Sequence, residues 1–111
     1  MEIVFATKRL KQVFNDEREL EREYGKLARK IKLRMNVLRN AANLEDVPIV
    51  PPDRCHKLKA DRAGQFAVDL IHPHRLVFKP SEYPPPKKLD GDVDKEKIVS
   101  ITIIEVVNYH D

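Results

Sequence analysis

The sequence predicts an α+β fold in which two N-terminal helices pack on a mostly antiparallel sheet. Three observations predict it. Apolar residues recur at helical spacing from Leu20 to Ala42, two alternating segments flank a turn at His72-Pro73, and Ile98–His110 is a long β-prone run. Helical signals come first and most strand signals follow, a segregation that suits α+β rather than alternating α/β architecture.

The elements follow in chain order. Glu2–Ala6 is a short apolar run and reads as a first strand. Thr7 is a suitable N-cap for a short helix through Phe14, which places Leu10, Val13 and Phe14 on one side. Asp16 and Glu19 have the spacing of a capping box at the head of a second, longer helix. Its stripe is Leu20, Tyr24, Leu27, Ile31, Met35, Leu38 and Ala42, residues suited to a core. Pro48, Pro51 and Pro52 then impose an irregular connection. Arg54–Leu58 reads as an edge strand and Asp61–Gly64 as a turn. Gln65–Ile71 and His74–Lys79 read as the arms of a hairpin, with Phe66, Val68, Leu70, Leu76 and Phe78 inward. The proline-rich, then charged, segment 80–97 reads as an exposed loop with a turn at Asp90-Gly91. Ile98–His110 is apolar on both faces, as expected of a central strand covered on both sides.

A chain of 111 residues fits one domain, 1–111, and 41% apolar with 35% charged residues describes an ordinary globular protein. No apolar run has the roughly 20 residues of a membrane helix. The start, MEIVFATKRLKQ, lacks the features of a secretory signal. The single cysteine, Cys55, excludes an internal disulfide and suits a reducing cytoplasm. Charge is unevenly spread. Residues 1–79 carry 17 Lys/Arg against 11 Asp/Glu, whereas residues 80–111 carry 4 against 7. Lys26, Arg29, Lys30, Lys32, Arg34 and Arg39 follow one another with no acid between them. Such a stretch attracts polyanions, and it equally suits a helix dipole and a solvated helix face.

Cys55 through Val68 (CHKLKADRAGQFAV) resembles the H-x-L-K-G-D-R-x-G-x-W-x-I/V pattern of HigB-type toxins in the RelE/ParE superfamily. Arg75-Leu76-Val77-Phe78 is similar to their W-R-I-x-F strand, and Ile104–His110 is similar to their terminal D-Y-E-D-Y-H. Leu44–Val47 matches a short acidic stretch after the long helix. The resemblance spans nearly the whole chain except segment 80–97. Ala60 stands for a frequent glycine, Phe66 for a frequent tryptophan and Asn108 for a common aspartate.

The resemblance implies a toxin of a type II toxin–antitoxin pair that cuts mRNA on the ribosome, in the cytoplasm. Attack of a ribose 2′-OH on the neighbouring phosphate needs a base, an acid and positive charge, which His, Lys and Arg supply. It implies His56, Lys59, Arg75, Tyr109 and His110 as the catalytic set, Lys57, Arg62, Lys30 and Arg34 as RNA contacts, and Asn108 as an orienting group. Taken singly, each has an ordinary structural role: His56 caps a strand, Lys59 is solvated, Tyr109 is core. No cofactor is implied. Cys55, His56, His72, His74 and His110 are zinc-ligand types, but their spacing matches no familiar zinc pattern. The implied partners are a HigA-like helix-turn-helix antitoxin, the ribosome and mRNA. A gyrase poison of the ParE kind on the same scaffold, or an inactive partner-binding member, are the alternatives.

Overall fold

In the computed structural model, which describes residues 1–108, β1 (Glu2–Phe5) is followed by α1 (Lys8–Phe14), α2 (Glu17–Tyr24) and α3 (Ala28–Asn40). Then come β2 (His56–Lys57), β3 (Phe66–Asp69), β4 (His74–Pro80) and β5 (Ser100–Asn108). The strands form one sheet in the order β1-β5-β4-β3-β2. β1 runs parallel to β5 and every other neighbour is antiparallel. The fold is the expected α+β arrangement of helices against a largely antiparallel sheet.

The caps act where the sequence places them. Thr7 Oγ1 accepts from Leu10 N at 3.0 Å, and Asp16 Oδ1 accepts from Arg18 N and Glu19 N at 3.0 and 3.2 Å. The reciprocal half of the capping box is absent, because the Glu19 carboxylate turns instead to Arg22 at 3.1 Å.

The predicted long helix is two helices. Gly25 interrupts it with φ 53° and ψ −121°, a conformation that a side chain would strain, and one 3₁₀ turn (Gly25–Leu27) leads into α3. The stripe survives the break as far as Leu38 because the turn nearly keeps the helical phase. Ala42, however, lies beyond the end of α3 and is exposed, Ala41 being buried instead. Leu20, Ala28, Ile31, Met35 and Leu38 all enter the core against Phe66, Val68, Leu76, Phe78, Ile101 and Ile103. Each such large side chain, fully buried, contributes about 1.5–3 kcal/mol.

β5 is central, as expected, but only one of its faces is covered by helices. Val77 pairs with Glu105 while Phe78 pairs with Ile103, so Ile104 is an extra residue in the ladder. This bulge reverses the alternation. Ile101 and Ile103 face the helices before it, Val106 faces them after it, and Glu105 is sent to the opposite side. Segment 80–97 is also more ordered in outline than a plain loop. Pro80 ends β4 opposite Ile101, Lys87 bridges to Val93 around the turn at Asp90-Gly91, and Lys95–Lys97 form a 3₁₀ turn.

Candidate functional site

The register of four strands assembles one row of side chains on the face away from the helices. His56 pairs with Ala67, Ala67 with Val77, and Val77 with Glu105. Directly paired residues project to the same side, so His56 and Glu105 flank a furrow floored by Ala67 and Val77. Three strand spacings separate their backbones by about 14 Å. The next row is Asp69, Arg75 and Val107. Ala67 and Val77 have no exposed surface although neither belongs to the helix-facing core cluster.

His56 is held in one orientation. Its Nδ1 lies 2.7 Å from the Arg54 carbonyl oxygen. A carbonyl only accepts, so Nδ1 carries the proton and Nε2 presents a lone pair. That Nε2 is buried and has no hydrogen-bond partner among the described residues. Arg54 itself is left-handed, with φ 46°, a conformation that costs about 1–3 kcal/mol for a residue with a side chain. Its guanidinium secures it by a two-point contact with Asp69, Nε to Oδ2 at 2.6 Å and Nη2 to Oδ1 at 3.0 Å. Arg75 Nε lies 3.7 Å from the same carboxylate. Asp69 therefore ties the residue that orients His56 to the cation one row away.

Arg62 reaches over the furrow from the β2–β3 turn, with Nη2 3.4 Å from Glu105 and Nη1 donating to Gln65 Oε1 at 2.9 Å. Lys59 is exposed, and its carbonyl accepts from Arg62 N in the 3₁₀ turn Ala60–Arg62. Ala60 has φ 56°, which accounts for glycine at this position in the resembling pattern.

Other expected contacts lie elsewhere. Lys57 pairs with Phe66, whose side chain enters the core, so Lys57 projects to the side opposite His56. Arg34 is not a surface contact at all, being only 4% exposed. It donates from Nε to Asp69 O at 2.6 Å and from Nη2 to Pro52 O at 3.3 Å, and it lies 3.6 Å from Asp53 Oδ1. It is a buried brace between α3 and the chain before β2, because helical phase puts it beside Met35 and Leu38 rather than among the exposed bases. Asn108 pairs with His74 and falls on the other side from Glu105 and Val107. Lys30 lines a cleft that Arg54 and Arg75 also line. Tyr109 and His110 lie outside the described residues.

Asp69, Arg54 and Glu105 were not among the expected site residues. Two carried a signal in the sequence: Asp69 is the one charged residue in Phe66–Ile71, and Glu105 the one charged residue in Ile98–Asn108.

Among the described residues no group of three or more His, Cys, Asp or Glu side chains is placed to hold a metal ion. Cys55 is buried, and burial pushes its thiol up to about 11, against an ordinary 9.0. The group is therefore neutral at physiological pH, the form that neither binds metal nor reacts readily. A raised folded value means that the fold favours the protonated thiol. The associated stability, on the order of 2–3 kcal/mol, is complete below pH 9 and disappears as pH rises through about 11. Urea titrations at pH 8 and pH 11 check this. Cys55→Ala removes that part of the loss and leaves a smaller one from Tyr24, whose hydroxyl burial also raises.

No protein-family model matches the chain, and no curated protein matches it. Solved structures do. A YoeB/ParE toxin from Agrobacterium tumefaciens covers 99% of this chain and 100% of its own, with 18% identity and a TM-score of 0.54. A YoeB dimer from Staphylococcus aureus covers 100% and 98%, with 23% identity and a TM-score of 0.50. At these identities the likeness establishes a shared fold.

Proposed function

We propose that this chain is the toxin of a toxin–antitoxin pair and that it cuts ribosome-bound mRNA by internal transesterification. The observation that carries the reading is His56, which lies on the side of the sheet that also bears Arg75 and whose ring Arg54 orients so that Nε2, without a partner among the described residues, holds the free lone pair. A buried nitrogen without a partner costs about 1–3 kcal/mol, and in this reading RNA binding uncovers it and a ribose 2′-OH supplies the missing donor. In this reading Nε2 takes the 2′-OH proton, and the 2′-oxygen bonds to phosphorus. The bond from phosphorus to O5′ then breaks, leaving a 2′,3′-cyclic phosphate and a 5′-OH. Arg75 and Lys59 stabilise the charge that gathers on the phosphate oxygens. The resemblance puts Tyr109 and His110 in the same catalytic set, and in this reading an imidazole such as that of His110 returns a proton to O5′. Arg62 and Lys30 are RNA contacts.

The shared fold with a structure described as a YoeB/ParE toxin supports the toxin reading. The motif from His56 to Gly64 supports the finer HigB-type assignment, and with it a HigA-like helix-turn-helix antitoxin as partner, the ribosome as the place of action and the cytoplasm as the location. No helix among the described residues is long and apolar enough to cross a membrane.

Expression of the chain alone, without an antitoxin, is expected to arrest growth, and primer extension is expected to find discrete cuts inside translated codons. Arrest with intact messages and trapped gyrase–DNA adducts would instead identify a gyrase poison on this scaffold. No arrest at all would identify an inactive partner-binding member.

A further inference from the structure

Segment 80–97, which the resemblance does not cover, holds one large aromatic ring out into solvent. Tyr83 is 94% exposed, although the chain on either side of it is fastened. Ser81 N donates to Ser100 O at 3.0 Å, and the Ser81 hydroxyl lies 2.9 Å from those of Thr102 and Ser100. On the far side, Pro86 O accepts from Asp94 N at 2.8 Å. Between these anchors Pro84 and Pro85 have a φ fixed by their own rings, so Tyr83 sits on a stiff span of chain.

Exposure alone says little, since Leu89 near the next turn is as open. What sets Tyr83 apart is a pocket beside it of about 250 Å³. Gly64 and Gln65 of the β2–β3 turn, Lys79 of β4, and Glu82 and Pro85 line it with Tyr83. Three polar groups there have capacity to spare. Arg62 Nη1 donates to Gln65 Oε1 at 2.9 Å, which fixes the amide and leaves its N–H donors without a partner among the described residues. Lys79 and Glu82 are exposed and make no ion pair among the described residues. The pocket also adjoins the furrow. Lys79 follows Phe78, whose side chain enters the core, so Lys79 projects to the same side as Val77. Two residues along β4 set these rows about 7 Å apart. Arg62 joins them, since its Nη2 reaches Glu105 at 3.4 Å.

We propose that this pocket is a nucleobase subsite, in which one base of the RNA strand lies on the Tyr83 ring. Gln65 donates to a carbonyl oxygen of the base, Glu82 accepts from its amino group, and Lys79 meets the phosphate on the furrow side. Guanine and cytosine carry both a carbonyl and an amino group. Uracil lacks the amino group and adenine the carbonyl, so the pocket discriminates against both. The identity of the strand rests on the nuclease reading, but base binding is independent of cutting. A base fits better than a docked peptide for two reasons. A flat ring with a polar edge matches an exposed aromatic face bordered by both a donor and an acceptor. In addition, the pocket lies one row of side chains from the furrow that RNA occupies in that reading.

The test uses fluorescein-labelled 2′-O-methyl oligocytidylate and oligouridylate, whose blocked 2′-oxygens cannot attack phosphorus. Anisotropy titrations compare the full chain with Tyr83→Ala, Tyr83→Phe, Glu82→Gln and Leu89→Ala. The parent chain is expected to bind the cytidylate severalfold more tightly than the uridylate. Tyr83→Ala is expected to bind the cytidylate about fivefold to a hundredfold more weakly, the loss of one stacked base. Tyr83→Phe keeps the ring face and Leu89→Ala lies outside the pocket, so both are expected to match the parent chain. Glu82→Gln is expected to erase the preference, because a glutamine amide can donate to uracil as well as accept from cytosine. Thermal melts confirm that each variant is folded, as substitution of exposed residues allows. Undiminished binding by folded Tyr83→Ala would overturn the subsite, and so would equal binding of the two oligomers by the parent chain. If Tyr83→Ala instead lost affinity only for the cognate antitoxin, the pocket would be a protein-docking site and the proposal would fail. The cutting rate of a His56 variant does not move these readings, so the subsite and the nuclease assignment fail separately.

Discussion

Under the proposed reaction, replacing His56 with alanine is expected to lower the rate of RNA cutting by about a hundredfold to ten-thousandfold, the range lost with a positioned acid–base group. The effect comes from one nitrogen. Nδ1 is committed to the Arg54 carbonyl at 2.7 Å, so only Nε2 can accept a proton. His56→Asn separates the two functions of the ring. An asparagine amide can still donate to the Arg54 carbonyl but offers no base at the Nε2 position. It is expected to be as inactive as the alanine variant while melting at the temperature of the parent chain. An asparagine variant that cuts at the parent rate would give His56 a purely structural role. Growth after induction and cutting of ribosome-bound message provide the two measurements.

Arg34→Met is expected to cost the most in stability, about 3–5 kcal/mol, the usual penalty for removing one partner of a buried ion pair. Domains of this size hold about 5–15 kcal/mol in total, so such a loss leaves little reserve. The side chains of Arg34 and Asp53 are 5% and 10% exposed, and Arg34 also serves the carbonyls of Pro52 and Asp69. Without the guanidinium, a buried carboxylate and two partly buried carbonyl oxygens lose their partner together. Urea denaturation reads the cost. Adding Asp53→Leu to Arg34→Met is expected to recover part of it, because the uncompensated charge goes too. Costs that simply add would show that the two side chains do not interact. Arg54, one residue beyond Asp53, also orients His56, so Arg34→Met is expected to impair cutting even in conditions where it remains folded.

Much of the fold was legible in the residues. Thr7 and Asp16 start helices because their side chains satisfy orphan backbone donors, a local matter that sequence states directly. The β3–β4 hairpin was readable from alternation around His72-Pro73. The break at Gly25 was not, because an apolar stripe at helical phase carries on across a single turn. Arg34 was misjudged for a related reason. Charge in a basic stretch suggests a solvated face, and only the helix rotation set by Met35 and Leu38 shows that it points inward. The bulge at Ile104 is invisible in a run that is apolar on every side, yet it decides that Glu105 and not its neighbours shares a face with His56. In the candidate site, His56 and Arg75 came from motif likeness, whereas Arg54 and its pairing with Asp69 required coordinates. Their pairing joins residues 15 apart through a left-handed backbone that no propensity foretells.

The chemistry assigned to His56 is tested most directly by the ends of the cut RNA. Ribosome-bound message cut by the purified chain, and analysed by mass spectrometry, is expected to show a 2′,3′-cyclic phosphate on the upstream fragment and a 5′-OH on the downstream one. A 3′-OH facing a 5′-phosphate would mean that water, not the neighbouring ribose, attacked phosphorus, and the account of His56 as the base for a 2′-OH would be wrong.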